Sequence, residues 1–385
     1  MRDQRPTCAT ATQANDAAVL GSLELSQSTW LLTSMLPGSE TMSRHTVSAT
    51  DRGQALLALL ARLRAKAEAG VGAPVGVVLI HEAGLDGFWP HRLLTAHGIE
   101  SHVVDPASIL VSQRRRRAKT DKIDGESLLR TLLGWRRGEP RVCSMVVPPS
   151  VEEEDARRLV REREALVGER TVHANRIRGL LSCQGAGEYH PLRRDARAQL
   201  ASLETGDGRA LPPKLRMEIE RELDRLELVQ RQIAAVEAER DALLAAADPG
   251  TAGAALLRLR SIGPEFATVL WLEGFFRRFD NRRRVAAYAG LAATPWRSGS
   301  IDYEQGISKA GNPRLRRTMI QLAWLWLRHQ PGSALSQWFQ ERVGSRRGRE
   351  RRIAVVALAR KLLIALWRFV TQGVLPEGAA LKPAV

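Results

Sequence analysis

Asp121 and Asp124 stand three residues apart in "RRRRAKTDKIDGESLLRTLL", residues 114–133, directly after Arg114, Arg115, Arg116, Arg117 and Lys119. On a helix, positions i and i+3 share a face, so both carboxylates address one site. Like charges held that close repel, and a divalent cation removes the repulsion. Mg²⁺ is the natural choice because it prefers carboxylate oxygens. The arginine run beside the pair attracts phosphate. The same spacing is also that of an ordinary helix start with mixed, solvated charge, and alone it does not separate the two readings.

Two more acids extend the pattern. Glu82 ends the apolar run "GVVLIHE", and Glu24 lies in "SLELS" between Leu23 and Leu25. Strict alternation along a strand puts Glu24 on the face opposite its leucine neighbours. Each has a plain explanation taken singly, a surface acid ahead of a helix for Glu82 and a sheet-edge charge for Glu24. Acids from two strands plus a helix pair form the carboxylate set of an RNase H-like fold, which holds two metal ions about 4 Å apart for phosphoryl transfer.

Two further segments carry candidate chemistry. "LLRLRSIGPEFATVLWLE", residues 256–273, reads as helix, tight turn at Gly263, helix. Such a turn offers backbone N–H groups to a phosphate, as a helix-hairpin-helix clamp does without reading sequence. "AAYAGLAATPWRSGSIDYEQGISKAGNPRLRR", residues 286–317, sets Ser298 and Ser308 among Arg297, Lys309, Asn312, Arg314 and Arg316. A serine attacks phosphorus only when it is positioned and the phosphate charge is neutralised. A Gly/Ser-rich turn that binds phosphate without chemistry fits these residues equally.

The elements that must position these groups follow from periodicity. "GSLELSQSTWLLTSML" and "SRHTVSAT" read as strands of a meander, "DRGQALLALLARLRAKAEAG" as a helix stopped by Gly70, and "VGVVLIHEAG" as a buried strand. "GFWPHRLLTAHG" reads as a helix, "ESHVVD" as a strand and "DKIDGESLLRTLLGWRRG" as a helix, which makes an α/β layer arrangement. "GEPRVCSMVVPPS" reads as a linker. Residues 151–183 and 212–247 then read as charged helices. In the second, Leu215, Ile219, Leu226, Val229, Ile233, Val236 and Leu243 follow coiled-coil steps of four and three, interrupted by Glu222 and Arg240. A helical hairpin within one subunit and an intermolecular or RNA-contacting arm both satisfy that seam. From Thr251 the chain is helical again, with a loop-rich middle from Gly290 to Pro313.

Bulk composition agrees with this organisation. The 385 residues leave room for two or three domains, and 44% hydrophobic with 26% charged residues is a globular balance. A net charge of +16 favours encounter with polyanions, nucleic acid first. A membrane is not expected as partner, because even "RRIAVVALARKLLIALWRFV" is interrupted by Arg360 and Lys361. Cys8, Cys143 and Cys183 lack paired spacing, which fits a reducing cytoplasm. "MRDQRPTCATATQANDA" has no apolar stretch of signal-peptide length, so export is not expected.

Four segments together carry a resemblance: "RRAKTDKIDGESLLRTL", "HEAGLDGFWPHRLLTAHGIESHVVDPASI", "LRSIGPEFATVLWLEGFFRRFDNRRRVAAYAGLAATPWRSG" and "GISKAGNPRLRR". In this order, from about Gly21 to Gln372, the chain resembles the insertion sequence 110 family of DEDD transposases. The resemblance implies a RuvC-like (RNase H-fold) domain at 18–140, a coiled-coil segment at 150–248 and a mainly α-helical transposase domain at 251–372 with a helix-hairpin-helix-like start, while 1–17 reads from composition as a flexible tail and 373–385 as a second tail. It implies DNA cutting and rejoining with Mg²⁺ in the bacterial cytosol, directed by a structured guide RNA that pairs with donor and target DNA. The family's acids map onto Glu24, Glu82, Asp121 and Asp124, and its nucleophilic serine onto Ser298, with Ser308 the second choice. The nucleic-acid backbone falls to Arg114 to Arg117, Lys119, Gly263, Arg297, Lys309, Asn312, Arg314 and Arg316. Exchange of several strands implies a homodimer or tetramer. One position departs from the family, Glu24 standing where Asp is usual. A water-using RuvC-like nuclease and an inactive nucleic-acid-binding relic are the rival readings.

Overall fold

The computed structural model describes residues 17–84, 87–109, 121–140, 142–298 and 301–383, with the side chains of 107, 121–123, 295–298 and 301–305 outside the description. The chain divides into two units, Met1–Pro149 and Ser150–Val385.

In the first unit the short apolar runs pair as a six-stranded mixed sheet of order β3-β2-β1-β4-β5-β6. The strands are β1 (Ala18–Glu24), β2 (Thr29–Met35), β3 (Met42–Ser48), β4 (Gly76–Glu82), β5 (Glu100–Val104) and β6 (Met145–Val146). β1, β2 and β3 form an antiparallel meander, β4 and β5 continue parallel to β1, and β6 closes the edge antiparallel. This mixed α/β sheet is compatible with an RNase H-like domain.

Period-two alternation sorts the side chains to two faces. Leu23, Trp30, Leu32, Val77 and Leu79 pack with Leu56, Leu59, Leu60 and Leu63 of α1 (Gln54–Val71) and Leu94 of α2 (Trp89–Ala96). Val78, Ile80 and Val104 face the other way, onto Leu128, Leu129 and Leu132 of α3 (Asp121–Arg136).

Two local expectations are corrected here. The first helix passes through Gly70 and stops at Gly72, whose φ of 73° supplies the left-handed cap and whose N–H bonds Glu68 O at 2.8 Å. "GEPRVCSMVVPPS" is more than a linker, because Met145 and Val146 pair with Val104 and Val103. Cys143 packs beside them, and burial pushes its thiol pKa up.

The second unit begins with α4 (Val151–Ser182) and α6 (Pro213–Ala245), which pack antiparallel, as the pairs His173–Glu222 and Arg163–Glu237 show. Ile219, Leu226, Val229, Ile233 and Val236 of the four–three seam are buried within this chain, with Leu166, Ile177 and Leu181 of α4 in the same clusters. The connection between the helices carries α5 (Ala196–Ala201) and packs Tyr189, Ala196, Leu200 and Leu211 onto the end of the pair.

A helical bundle follows: α7 (Ala252–Leu257), α8 (Pro264–Val269), a π-helical turn (Leu270–Phe275), α9 (Arg282–Tyr288), α10 (Pro313–His329), α11 (Ala334–Val343) and α12 (Arg349–Gln372). Its core centres on Trp326, Leu322, Phe339, Leu358 and Leu362. The loop expected from Gly290 to Pro313 contains a β-hairpin, β7 (Ala293–Ser298) with β8 (Ile301–Ile307). Thr294, Trp296, Ile301 and Tyr303 are strand-favouring residues whose signal is diluted in sequence by the surrounding Gly and Ser.

Candidate functional sites in the two units

Glu24 and Glu82 are the last residues of adjacent parallel strands, whose register ends at Leu23 opposite His81. Alternation from Ser22 and from Ile80 turns both acids toward the face that α3 covers. Glu82 is exposed, and Glu24 is half-buried.

The start of α3 is held onto this face by close backbone contact. Ser22 Oγ donates to Gly125 O at 2.6 Å. A Cβ at Gly125 would lie 2.6 Å from Thr33 Oγ1 and 2.9 Å from Glu24 Oε1, so any larger residue would have to displace these side chains or the helix start. Asp124, half-buried, precedes that glycine by one residue. The backbone of Asp121 begins the helix, while its side chain lies outside the described residues. Arg44 of β3 braces the same turn through Glu126 at 3.0 Å.

The structure thus brings Glu24 against the residue next to Asp124 and sets Glu82 on the neighbouring strand. Among the described residues no three of His, Cys, Asp or Glu form a metal-holding group, a count that excludes the side chain of Asp121. Glu24, Glu82 and Asp124 carry hard carboxylate oxygens, the kind of ligand that suits a divalent cation. Arg114 to Arg117 and Lys119 lie outside the described residues.

Sequence reasoning passed over Ser22, Thr33 and Gly125. The signals were present: a serine and a threonine inside apolar strands, and a glycine early in a helix, where it is otherwise unfavourable. Thr33 is fully buried, and its hydroxyl has no hydrogen-bond partner among the described residues.

In the second unit Ser298 ends β7, in register with Ile301 at the tip of the hairpin. The side chains of Arg297 and Ser298 lie outside the described residues. Ser308 follows β8 at the hairpin base, where its N–H bonds Ala292 O at 2.9 Å. At about 3.3 Å per residue, β8 separates the two serines by roughly 20 Å.

The base is fixed by a backbone crossing. Gly311, at φ 90°, lies where a Cβ would come within 2.3 Å of Tyr288 O, and Asn312 N–H bonds that same carbonyl at 2.7 Å.

Three residues read from sequence as phosphate binders have other work. The Asn312 side chain caps α10, accepting from the N–H groups of Arg314 and Leu315 at 3.0 and 3.1 Å, and donates to Glu273 Oε2 at 3.0 Å. Arg314 pairs with Glu273 at 3.0 Å and with Glu164. Arg316 donates to Lys309 O at 2.8 Å, while Lys309 itself is exposed. For Asn312 and Arg314 the physical reason is Glu273, a carboxylate in the π-helical turn with 3% side-chain exposure. Burial alone would raise its pKa, yet Arg161 at 3.0 Å, Asn312 and Arg314 hold it below the usual carboxylate value.

The turn at Gly263 also differs from expectation. The left-handed residue is Ser261, at φ 84°, whereas Gly263 caps α8 at φ −90° with open space where a Cβ would stand. Glu265 in the first turn of α8, held by Arg163 at 3.0 Å and Arg240 at 2.8 Å, adds negative charge where a phosphate would approach.

Glu222 and Arg240, the breaks in the α6 seam, are buried polar stations. Glu222 is 2% exposed and meets His173 Nδ1 at 2.6 Å and Arg225 at 2.7 Å. Among the described residues no helix is long and apolar enough to cross a membrane.

Comparison with known proteins adds the chemistry's context. Residues 253–337 match the family described as "Transposase IS116/IS110/IS902 family". Residues 32–183 match a second family, of DEDD type, described as "Transposase"; that span contains Glu82, Asp121 and Asp124 and begins after Glu24. A putative transposase, y4rJ, of Sinorhizobium fredii is 59% identical over 99% of this chain and 98% of its own length. The transposase for insertion sequence element IS1111A of Coxiella burnetii is 28% identical over 77% of this chain and 78% of its own.

Proposed function

Because the chain belongs to the IS116/IS110/IS902 family of transposases, enzymes that cleave and recombine DNA, we propose that it moves an insertion sequence by phosphoryl transfer through a serine ester. Ser298 Oγ bonds to the scissile phosphorus and loses its proton as the P–O bond to the departing strand breaks, releasing that strand as a hydroxyl. A DNA hydroxyl then attacks the serine ester, which rejoins the strands and restores Ser298. No ATP is needed, because the ester conserves the bond.

Glu24, Glu82, Asp121 and Asp124 are the residues that would hold Mg²⁺, which when bound neutralises charge developing on the phosphate oxygens. Gly125 keeps the helix start against Glu24, so the longer side chain at that position still reaches the shared face. Arg114 to Arg117, Lys119, Arg297 and Lys309 hold the backbone without reading bases. Choice of site belongs to pairing with a structured guide RNA, in the manner of other guided systems. The α4–α6 pair contributes to a dimer or tetramer acting in the cytosol.

The observation that carries this reading is the placement of Glu24 and Glu82 at the ends of neighbouring parallel strands, facing the helix that opens with Asp121 and Asp124. The test is incubation of wild type, Ser298→Ala and Ser308→Ala with element-end DNA, the flanking non-coding RNA and Mg²⁺. A denaturant-resistant protein–DNA adduct is expected from wild type and Ser308→Ala, and none from Ser298→Ala. An adduct in Ser298→Ala removes Ser298 from its role, and cut ends with no adduct in wild type assign the attack to water.

A further inference from the structure

We propose that an exposed stripe of α10 centred on Trp324, together with the arginine-rich start of α12, binds unpaired nucleic acid, with a base stacked on the indole and phosphates on the guanidinium groups around it. The proposal rests on the reading of the chain as an enzyme of DNA and adds a surface separate from the residues assigned to chemistry.

Arg317, Gln321, Trp324 and Arg328 follow helical steps of four, three and four, and all four are exposed. They form one stripe of α10, opposite the buried Leu315, Met319, Leu322 and Trp326. At about 1.5 Å per residue the stripe is roughly 16 Å long, enough to follow a strand over a few nucleotides.

Trp324 is 39% exposed on a helix whose other large apolar side chains turn mainly inward. An indole left open to water gives up the stabilisation that burial provides. The Arg351 guanidinium lies over the ring, 5.3 Å from its centroid, so one indole face carries the cation and the rest of the exposed ring is left for a stacking partner. An aromatic beside a cation matches the face of a nucleobase next to its phosphate, and every base has that face.

Charge points the same way. "RVGSRRGRERR", residues 342–352, contains six arginines and one glutamate, and it delivers Arg349, Arg351 and Arg352 into the first turn of α12. The positive end of a helix dipole disfavours cations at that place. These side chains work against helix stability and against one another, a conflict that an anionic partner relieves. Arg317 is paired with Glu164 and Arg346 with Glu350, while Arg328, Arg349, Arg351 and Arg352 take part in no ion pair among the described residues.

The occupant is a single strand because a base inside a duplex shows its edges to a protein surface and keeps its faces stacked. An anionic membrane would call for a continuous apolar face, and the neighbours of Trp324 along the stripe are Gln321, Arg317 and Arg328.

The experiment measures binding of the full chain to labelled oligo-dT, oligo-U, a blunt DNA duplex and phosphatidylserine vesicles. It is done in EDTA so that cleavage plays no part. Trp324→Ala is expected to weaken single-strand binding on the order of 10-fold with duplex binding unchanged, and Trp324→Phe to recover most of it. Joint Arg351→Ala and Arg352→Ala should reduce the slope of log affinity against log salt by about 1.4. A preference for oligo-U assigns the strip to RNA and one for oligo-dT to a DNA strand; either supports it. Unchanged single-strand affinity in Trp324→Ala with a wild-type melting temperature overturns the proposal, as does vesicle binding that competes with the oligomers. The phenylalanine variant keeps the result readable should the alanine protein melt early. Wild type that binds no nucleic acid would count against the functional reading itself, whereas wild-type binding indifferent to these substitutions counts against the strip alone.

Discussion

Carboxylates are placed differently in the two units. In the first, Glu24 and Glu82 end parallel strands, with Glu82 exposed and Asp124 half-buried beside a helix start. In the second, Glu273 and Glu222 lie inside helical segments at 3% and 2% exposure and are enclosed by Arg161, Arg314 and Asn312 or by His173 and Arg225. Of the strand-end acids Glu82 reaches solvent, whereas Oε1 of Glu24 is buried against the start of α3. An acid buried among arginines is an internal tie, since removing either partner strands the other charge away from water. The difference explains why Asn312 and Arg314, basic or polar neighbours of the candidate serines in sequence, are fastened to the interior.

The sharpest way to break this comparison is to neutralise one acid of each kind. Asp124→Asn is expected to lower cleavage on the order of 10³-fold, the equivalent of several kcal/mol of lost charge stabilisation, with the thermal midpoint held. Quantitative strand cleavage and calorimetry read the two quantities. Loss of folding in place of activity would make Asp124 a tie of the second kind.

Glu273→Ala should do the reverse and cost about 3 kcal/mol of stability in denaturant melts. Its folded pKa is below the ordinary 4.5, so its contribution is complete above that value and disappears as pH falls through the depressed folded value. Wild type should therefore lose stability below about pH 4.5 more steeply than Glu273→Gln, and equal slopes would refute the assignment.

A smaller effect tests how the helix meets the first site. Gly125→Ala forces a methyl group toward Thr33 Oγ1 and Glu24 Oε1, at an expected cost of about 2 kcal/mol, with weaker stabilisation of the protein by added Mg²⁺ or Mn²⁺ in thermal melts. An alanine variant that melts and responds to metal as wild type does would detach Gly125 from the site.

The smallest concerns the turn at Gly263. Its extended backbone and open Cβ position allow alanine within about 0.5 kcal/mol, and DNA affinity should stay as it was. A marked fall in affinity would restore the phosphate clamp that the sequence suggests.

Much of the first unit was legible because its signals are local. Leu23 beside Glu24, and the run Val77 to Ile80 before Glu82, state strand, face and end within a few residues. The hairpin holding Ser298 was harder to read, since Gly and Ser mask its alternation and its pairing is settled only by a partner strand. The α6 seam was readable as far as its spacing, while Glu222 and Arg240 stood out as exceptions without visible cause. Their partners His173 and Glu265 lie far along the chain.

By itself the sequence determined the run of strands and helices from β1 to α3, the four candidate acids, the serine-bearing segment and the polyanion-seeking charge, because periodicity and charge are properties of neighbouring residues. Tertiary structure alone decided which acids share an edge, which arginines are spent on Glu273, and how closely residue 125 meets Thr33 and Glu24. Those outcomes depend on distances between groups remote in the chain, where desolvation of a charge and the 2.6 Å approach of one atom to another take effect only once the backbone has packed.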